Sequence, residues 1–296
     1  MMRGMYSAIS GLRNHQIMLD VTANDLANVN TVGFKASRTS FRDSLAQLQR
    51  SGASATSGSA GAKPAQIGLG VQLGSIDNQM TNGAFQSTGS PYDVAIQGTG
   101  WFKVSNTDPV SGAFPASATY EYTRAGNFTL SPNPTDPTQA DLATQDGWRV
   151  VGFGTTTDAS GNTVADIAGG PKPLTIPVDA TDVSVSPNGA VTYTPAAGGT
   201  RQFAGFLGLT SFPSEQGLER ASANRWRENA SSGTGSTSAP ESNGLGSTIG
   251  GELEMSNVDL ATEFTNMITA ERGFQASSRV LTTADEMLQD LVNLKR

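Results

Sequence analysis

Few residues in this chain could do chemistry, and their spacing argues against most reactions. His15 is the only histidine among 296 residues, and cysteine is absent. The missing thiols remove disulfides, thiolate metal sites and cysteine nucleophiles together. His15 falls on a helical pattern beside an apolar stripe, which suits a surface or interface imidazole better than a triad base or a His-rich metal site. The signatures HExxH, GxSxG and GxxxxGK[ST] do not occur. Gly68, Gly70 and Gly74 in "GLGVQLG" loosely resemble a dinucleotide fingerprint, but that motif follows a strand and opens a helix. Here a Gly/Ser-rich tract precedes it and an alternating run follows, so close chain crossings are the better use of these glycines. Carboxylates are scattered, and no pair is marked as an acid and its base. The expectation is no catalytic residue, no cofactor and no metal.

The elements that would have to carry a site are arranged symmetrically about the middle. From Met2 to about Val29 the apolar residues follow a helical period, with Met5, Leu12, Leu19 and Leu26 seven apart and Met2, Ile9 and Ala23 on the neighbouring position. The other end repeats this with Leu260, Met267, Phe274, Leu281 and Leu288, flanked three residues on by Ala270, Ser277, Ala284 and Leu291. Two heptad helices bracketing a long middle predict that the chain ends pair, 1–35 with 255–296, as a coiled coil. The tracts Ser51–Ala65 and Asn229–Gly251 are low in complexity and offer little to bury, so 36–67 and 229–254 are predicted to be extended neck segments.

Between the necks, 68–228 reads as one β domain of hairpins. "VSVSPNGAVTYT" predicts a hairpin with Asn188 and Gly189 in its turn, Asp146-Gly147 before "WRVVGFG" predicts another, and Asn82-Gly83 marks a third turn. Pro132, Pro134 and Pro137 mark a loop. The fold class is therefore α+β, with a mainly antiparallel β domain inserted between terminal helices. A Thr/Ser-rich β body with such ends leaves a fibre shaft or a surface adhesin open on composition alone.

Charge narrows the partners. A net charge of −7 lacks the basic footprint that nucleic acid needs. No run approaches the 18 or so apolar residues of a membrane span, and Asn14, His15, Gln16, Asp20 and Asn24 break any apolar core of a secretory signal. Residues 1–50 hold six basic and three acidic side chains, whereas 252–296 hold eight acidic and four basic. The two ends are thus of opposite sign, which favours their pairing.

Longer motifs resemble one family. "SAISGL" (Ser7–Leu12) with "LDVTANDLANVNTVGFK" (Leu19–Lys35), "TGSPYDVAIQGTGWFKV" (Thr88–Val104), "YTRAGNFTL" (Tyr122–Leu130), "LEMSNVDLATEFTNMITAERGFQASS" and the terminal "LQDLVNLKR" are similar, in this order, to the bacterial flagellar rod and hook proteins. "EMSNVDL" and "LVNLKR" are more similar to hook proteins, while the long stretch between Phe41 and Gly68 is similar to the segment associated with a stiff distal rod. On balance the resemblance favours a hook subunit, with a distal rod subunit as the alternative. Trp101, where Phe or Tyr is usual, and the Pro-rich Ser131–Thr138 depart from the family pattern.

The resemblance implies a non-enzymatic structural subunit exported without a cleaved signal through the flagellar type III apparatus. It implies polymerisation with copies of itself beneath a hook cap, and contact with neighbouring axial proteins of the distal rod and hook-filament junction. The resulting tube would surround the export channel and transmit motor torque. Its assembly interface is expected at Met5, Ile9, Leu12, Leu19, Leu26, Leu260, Met267, Phe274, Leu281 and Leu288. Gly33, after the first helix and β-branched Val32, is expected to adopt a left-handed turn that packs Phe34 back on the helix.

Overall fold

The computed structural model describes residues 2–52, 54, 60–61, 63–109, 112–115, 117–133, 136–157, 163–196 and 198–294. Pro134, Lys295, Arg296 and much of the Ser51–Ala65 tract lie outside the described residues. The architecture is mixed α+β, and the chain divides into two compact units.

The first unit comprises 1–28, 36–79 and 258–296. It contains helix α1 (Met2–Ala27), helix α2 (Leu260–Asn293) and two antiparallel ribbons, Ser37–Asp43 with Val71–Asn78 and Ala46–Arg50 with Ala65–Gly68. Asp259 starts α2: its carboxylate accepts from the Ala261 amide at 3.0 Å and from the Thr262 hydroxyl at 2.7 Å, covering amide donors that a helix start leaves free. The ribbons are tied to α1 by polar side chains. Asn14 Nδ2 donates to the Val71 carbonyl at 2.8 Å, and the Ser37 amide donates to buried Asp25 at 2.9 Å. Gly70 sits where a Cβ would lie 2.3 Å from Ser10 Oγ, a close crossing that only glycine permits.

The second unit comprises 29–35 and 80–257. Its main sheet is antiparallel, running through Ala180–Val185, Ala190–Pro195, Gln202–Leu207, Arg149–Thr157, Trp101–Ser105, Tyr120–Thr123, Arg225–Arg227 and Glu219–Arg220. The strand Trp101–Ser105 shows why two cores form. Its side chains alternate between faces, so Phe102 and Val104 enter one apolar cluster with Phe128, Val150, Ile176 and Leu207, while Trp101 enters another with Tyr122, Phe212, Leu218 and Trp226. Trp101 and Trp226 meet edge to face at 5.6 Å.

The predicted turns fare differently. Ala180–Val185 and Ala190–Pro195 form the expected hairpin, but only Gly189 is left-handed, at φ 80°; the Gly189 amide closes on Ser186 across Pro187 and Asn188. Asp146-Gly147 turns Gln139–Ala143 into Arg149–Thr157, with Gly147 at φ 81°. Asn82-Gly83 makes no hairpin. Asn82 donates to the Ile96 carbonyl at 3.0 Å, and Gly83 is small because a Cβ there would strike the Met255 carbonyl oxygen at 2.1 Å. Pro132 stands at the end of the strand Thr129–Pro132, opposite Ala140.

The tract 229–254 is folded rather than an extended neck. Ser236–Ser238 pairs with Leu209–Ser211, Ser247–Gly250 with Val94–Gln97, and Glu252–Glu254 with Phe85–Ser87. Its small polar residues suit this place because their hydroxyls find partners in the sheet: buried Thr248 Oγ1 donates to the Ser186 carbonyl at 2.7 Å, and Thr210 and Thr237 hydroxyls meet at 2.9 Å.

Candidate functional site: helix faces and a buried charge junction

In the first unit the two helices lie antiparallel, since Gly11 faces Ser277 while His15 faces Gly273. The seam is made of small residues. Ala270 and Ala284 are its buried apolar members on α2, and an added Cβ at Gly273 would overlap the His15 ring. Small residues let the backbones approach closely, which leaves the larger heptad residues to the flanks of the seam. Met5, Ile9, Leu12, Leu19 and Leu26 are half-buried, as are Met267, Leu281 and Leu288; Leu260 is 43% exposed and Phe274 38%. Phe264 and Ile268, 50% and 58% exposed, continue the outward apolar face of α2. On the second ribbon Leu48 and Ile67, and just before it Leu45, are likewise exposed. Apolar side chains thus stand exposed in number on adjoining elements of this unit, more than a lone soluble subunit ordinarily leaves uncovered.

Among the described residues no ion pair joins α1 and α2. Among the same residues no helix is long and apolar enough to cross a membrane.

The second unit holds a buried charge junction that no sequence motif announced as a set. Gly33 is left-handed, at φ 67°, and its amide donates to the Glu254 carbonyl at 2.7 Å. The turn delivers Lys35 to a fully buried position, where Nζ lies 2.5 Å from Glu254 Oε1 and donates to the Thr81 carbonyl at 2.9 Å. Arg124 approaches the other carboxylate oxygen at 3.4 Å, and the Gly83 amide donates to Oε1 at 3.1 Å. Asn224 donates to the Val32 carbonyl at 2.6 Å and Arg220 to the Lys35 carbonyl. Phe34 is buried, with its ring centroid 4.7 Å from the Arg220 guanidinium within this unit. Burial lowers the Lys35 pKa from its ordinary value, and the nearby Glu254 carboxylate only partly offsets this.

A second cluster serves the sheet itself. Glu121 accepts from Arg225 Nε at 2.7 Å and from Arg227 at 2.6 Å, and Arg225 also reaches Asp146 at 2.6 Å. Burial alone would raise the Glu121 pKa, but the two arginines together outweigh it and leave it lowered. Both clusters are built from pairs within the fold, although Arg124 Nε is buried without a hydrogen bond, and they have the character of fasteners.

Comparison with known proteins agrees with this reading. Residues 5–35 match the family described as flagella basal body rod protein, 95–193 the flagellar hook protein FlgE/F/G D1 domain, and 249–294 the flagellar basal body rod FlgEFG protein C-terminal region. The flagellar basal-body rod protein FlgG of Bacillus subtilis (strain 168) is 42% identical over 297 residues, covering 100% of both chains. The chain belongs to the FlgE/F/G family of flagellar rod and hook proteins, a structural rather than an enzymatic family. Its similarity runs to rod members such as FlgG of Caulobacter vibrioides, 34% identical over 99% of this chain and 100% of that one. A hook member, the FlgE protein of Treponema pallidum, is 26% identical over 465 aligned positions, with 100% of both chains covered.

Proposed function

We propose that this chain is a subunit of the distal rod of the flagellar basal body, polymerising with copies of itself into a tube around the export channel. The observation that carries this reading is collinearity. The B. subtilis rod protein aligns from end to end in 297 positions, whereas the T. pallidum hook protein needs 465 to accommodate this chain's 296 residues. A hook subunit, favoured by "EMSNVDL" and "LVNLKR", is thus the weaker reading, because those short motifs lie in a region that rod and hook members share. The segment after Phe41 adds support for a stiff rod. It forms a paired antiparallel ribbon with apolar side chains left uncovered, ready to be clamped between neighbours.

In this reading the terminal helices pair as the inner layer of the tube. Met5, Ile9, Leu12, Leu19, Leu26, Leu260, Met267, Phe274, Leu281 and Leu288 face adjacent subunits where they are not covered by the subunit's own partner helix. The subunit leaves the cell body through the flagellar export apparatus without a cleaved signal, and its neighbours are other axial proteins. Deleting the gene and imaging isolated basal bodies tests this. Rods that stop short of their distal segment, with no hook, are the expected result. Full-length rods that lack only the hook would return the hook reading to first place.

A further inference from the structure

Heptad spacing leaves the register of the two helices undetermined. Leu260, Met267, Phe274, Leu281 and Leu288 repeat every seven residues, as do Ala270, Ser277 and Ala284 in the seam and Met5, Leu12, Leu19 and Leu26 on α1. Sliding α2 along α1 by seven residues therefore places like on like over most of the overlap, and apolar spacing distinguishes the alignments only at the ends, where Leu291 or Glu263 would enter the seam.

Gly273 breaks this degeneracy. It is the only glycine in α2 and lies in the helix interior, where glycine is a poor helix former. A Cβ at this position would lie 2.4 to 2.8 Å from three atoms of the His15 imidazole. The ring is bounded on another side by Phe41, edge on at a centroid distance of 6.1 Å. The residues seven positions from Gly273 are Asn266 and Val280, so either slip would bring a side chain to the place that His15 occupies. His15 Nδ1 is buried and makes no hydrogen bond, which marks the ring's contribution as one of shape.

We propose that His15 and Gly273 form a ring-in-notch lock that fixes the register of α1 against α2, and with it the height along α1 at which the outward apolar residues of α2 stand. Only the consequence for a polymer rests on the rod reading; the lock is a property of the single subunit.

The absence of native cysteine allows a direct test, because two engineered thiols report one alignment each. A Cβ built at Gly11 lies 3.8 Å from the Ser277 Cβ, inside the range of a disulfide. In the full chain, the pair Gly11→Cys with Ser277→Cys reports the native register. Gly11→Cys with Ala270→Cys or with Ala284→Cys reports a slip of seven in either direction. Mild oxidation, followed by non-reducing electrophoresis and peptide mass analysis, measures each intramolecular disulfide. With His15 present the native pair should close about tenfold faster than either slipped pair, in keeping with the strict distance limits of the bond. His15→Ala should cut that preference to about threefold or less, and His15→Phe, which keeps a ring, should restore it. An undiminished preference in His15→Ala overturns the proposal, as does a parent without preference or a His15→Phe variant that behaves like His15→Ala. The cross-linking ratio does not depend on where the chain assembles, so a complete rod in the gene deletion would leave this result standing.

Discussion

Replacing Lys35 by Met tests the buried junction most directly. The substitution removes the ammonium that lies 2.5 Å from Glu254 and the donor to the Thr81 carbonyl, in a place where neither Lys35 nor Glu254 is exposed. Glu254 keeps Arg124 at 3.4 Å and the Gly83 amide at 3.1 Å, so its charge is partly but not fully compensated. Removing one partner of a buried pair costs about 3 to 5 kcal/mol, and the retained contacts put this case near 3. For a unit of this size that corresponds to a fall in Tm of roughly 10 °C. Adding Glu254→Gln to Lys35→Met should recover part of the loss, because the charge left without Lys35 is then gone. Thermal and urea unfolding of the full chain, followed by tryptophan fluorescence from Trp101 and Trp226, measures both variants. A loss under about 1 kcal/mol for Lys35→Met would refute the reasoning, since exposed pairs are worth no more than that.

Three further outcomes follow from features already described. Glu121 has a lowered pKa in the folded state, so its contribution is present above its ordinary value near 4.5 and is lost as pH falls through the folded value; unfolding titrations should show a shallower acid loss in Glu121→Gln than in the parent. Gly33→Ala forces a left-handed alanine whose Cβ would lie 2.6 Å from the Ala125 amide nitrogen, and should cost at least about 2 kcal/mol by urea unfolding. Phe274→Asp alters a residue already 38% exposed, so the isolated chain should melt within a few degrees of the parent while polymer yield and swimming are lost. Normal polymers from that variant would place the interface elsewhere.

Periodicity made the two helices legible, because 3.6-residue spacing survives any tertiary context. Their seam was less so. The sequence pattern marks the largest apolar residues, but the helices meet through Ala270, Gly273 and Ala284, whose small size allows approach and carries no hydropathic signal. Asn188-Gly189 was readable as a turn because its flanking strands alternate, whereas Asn82-Gly83 is a close approach to Met255, a contact with distant chain that no local pattern announces. The tract 229–254 looked unstructured since serine, threonine and glycine bury little alone; in the sheet their hydroxyls are paired. The Lys35, Arg124 and Glu254 junction was hidden for a related reason. Each residue lies in a different motif of the family resemblance, and nothing in one motif names its partner in another.

The separation within that junction has a temporal consequence. Lys35 and Glu254 are 219 residues apart in sequence, and the turn at Gly33 is held by the backbone of the same glutamate. Synthesis runs from the N-terminus, so a growing chain carries Lys35 long before its counterion exists. Closing so large a loop is also slow and entropically costly. The segment that follows the first helix consequently remains without its anchor until nearly the whole polypeptide has been made, and the last strand before α2 acts as a clock that dates the completion of the fold.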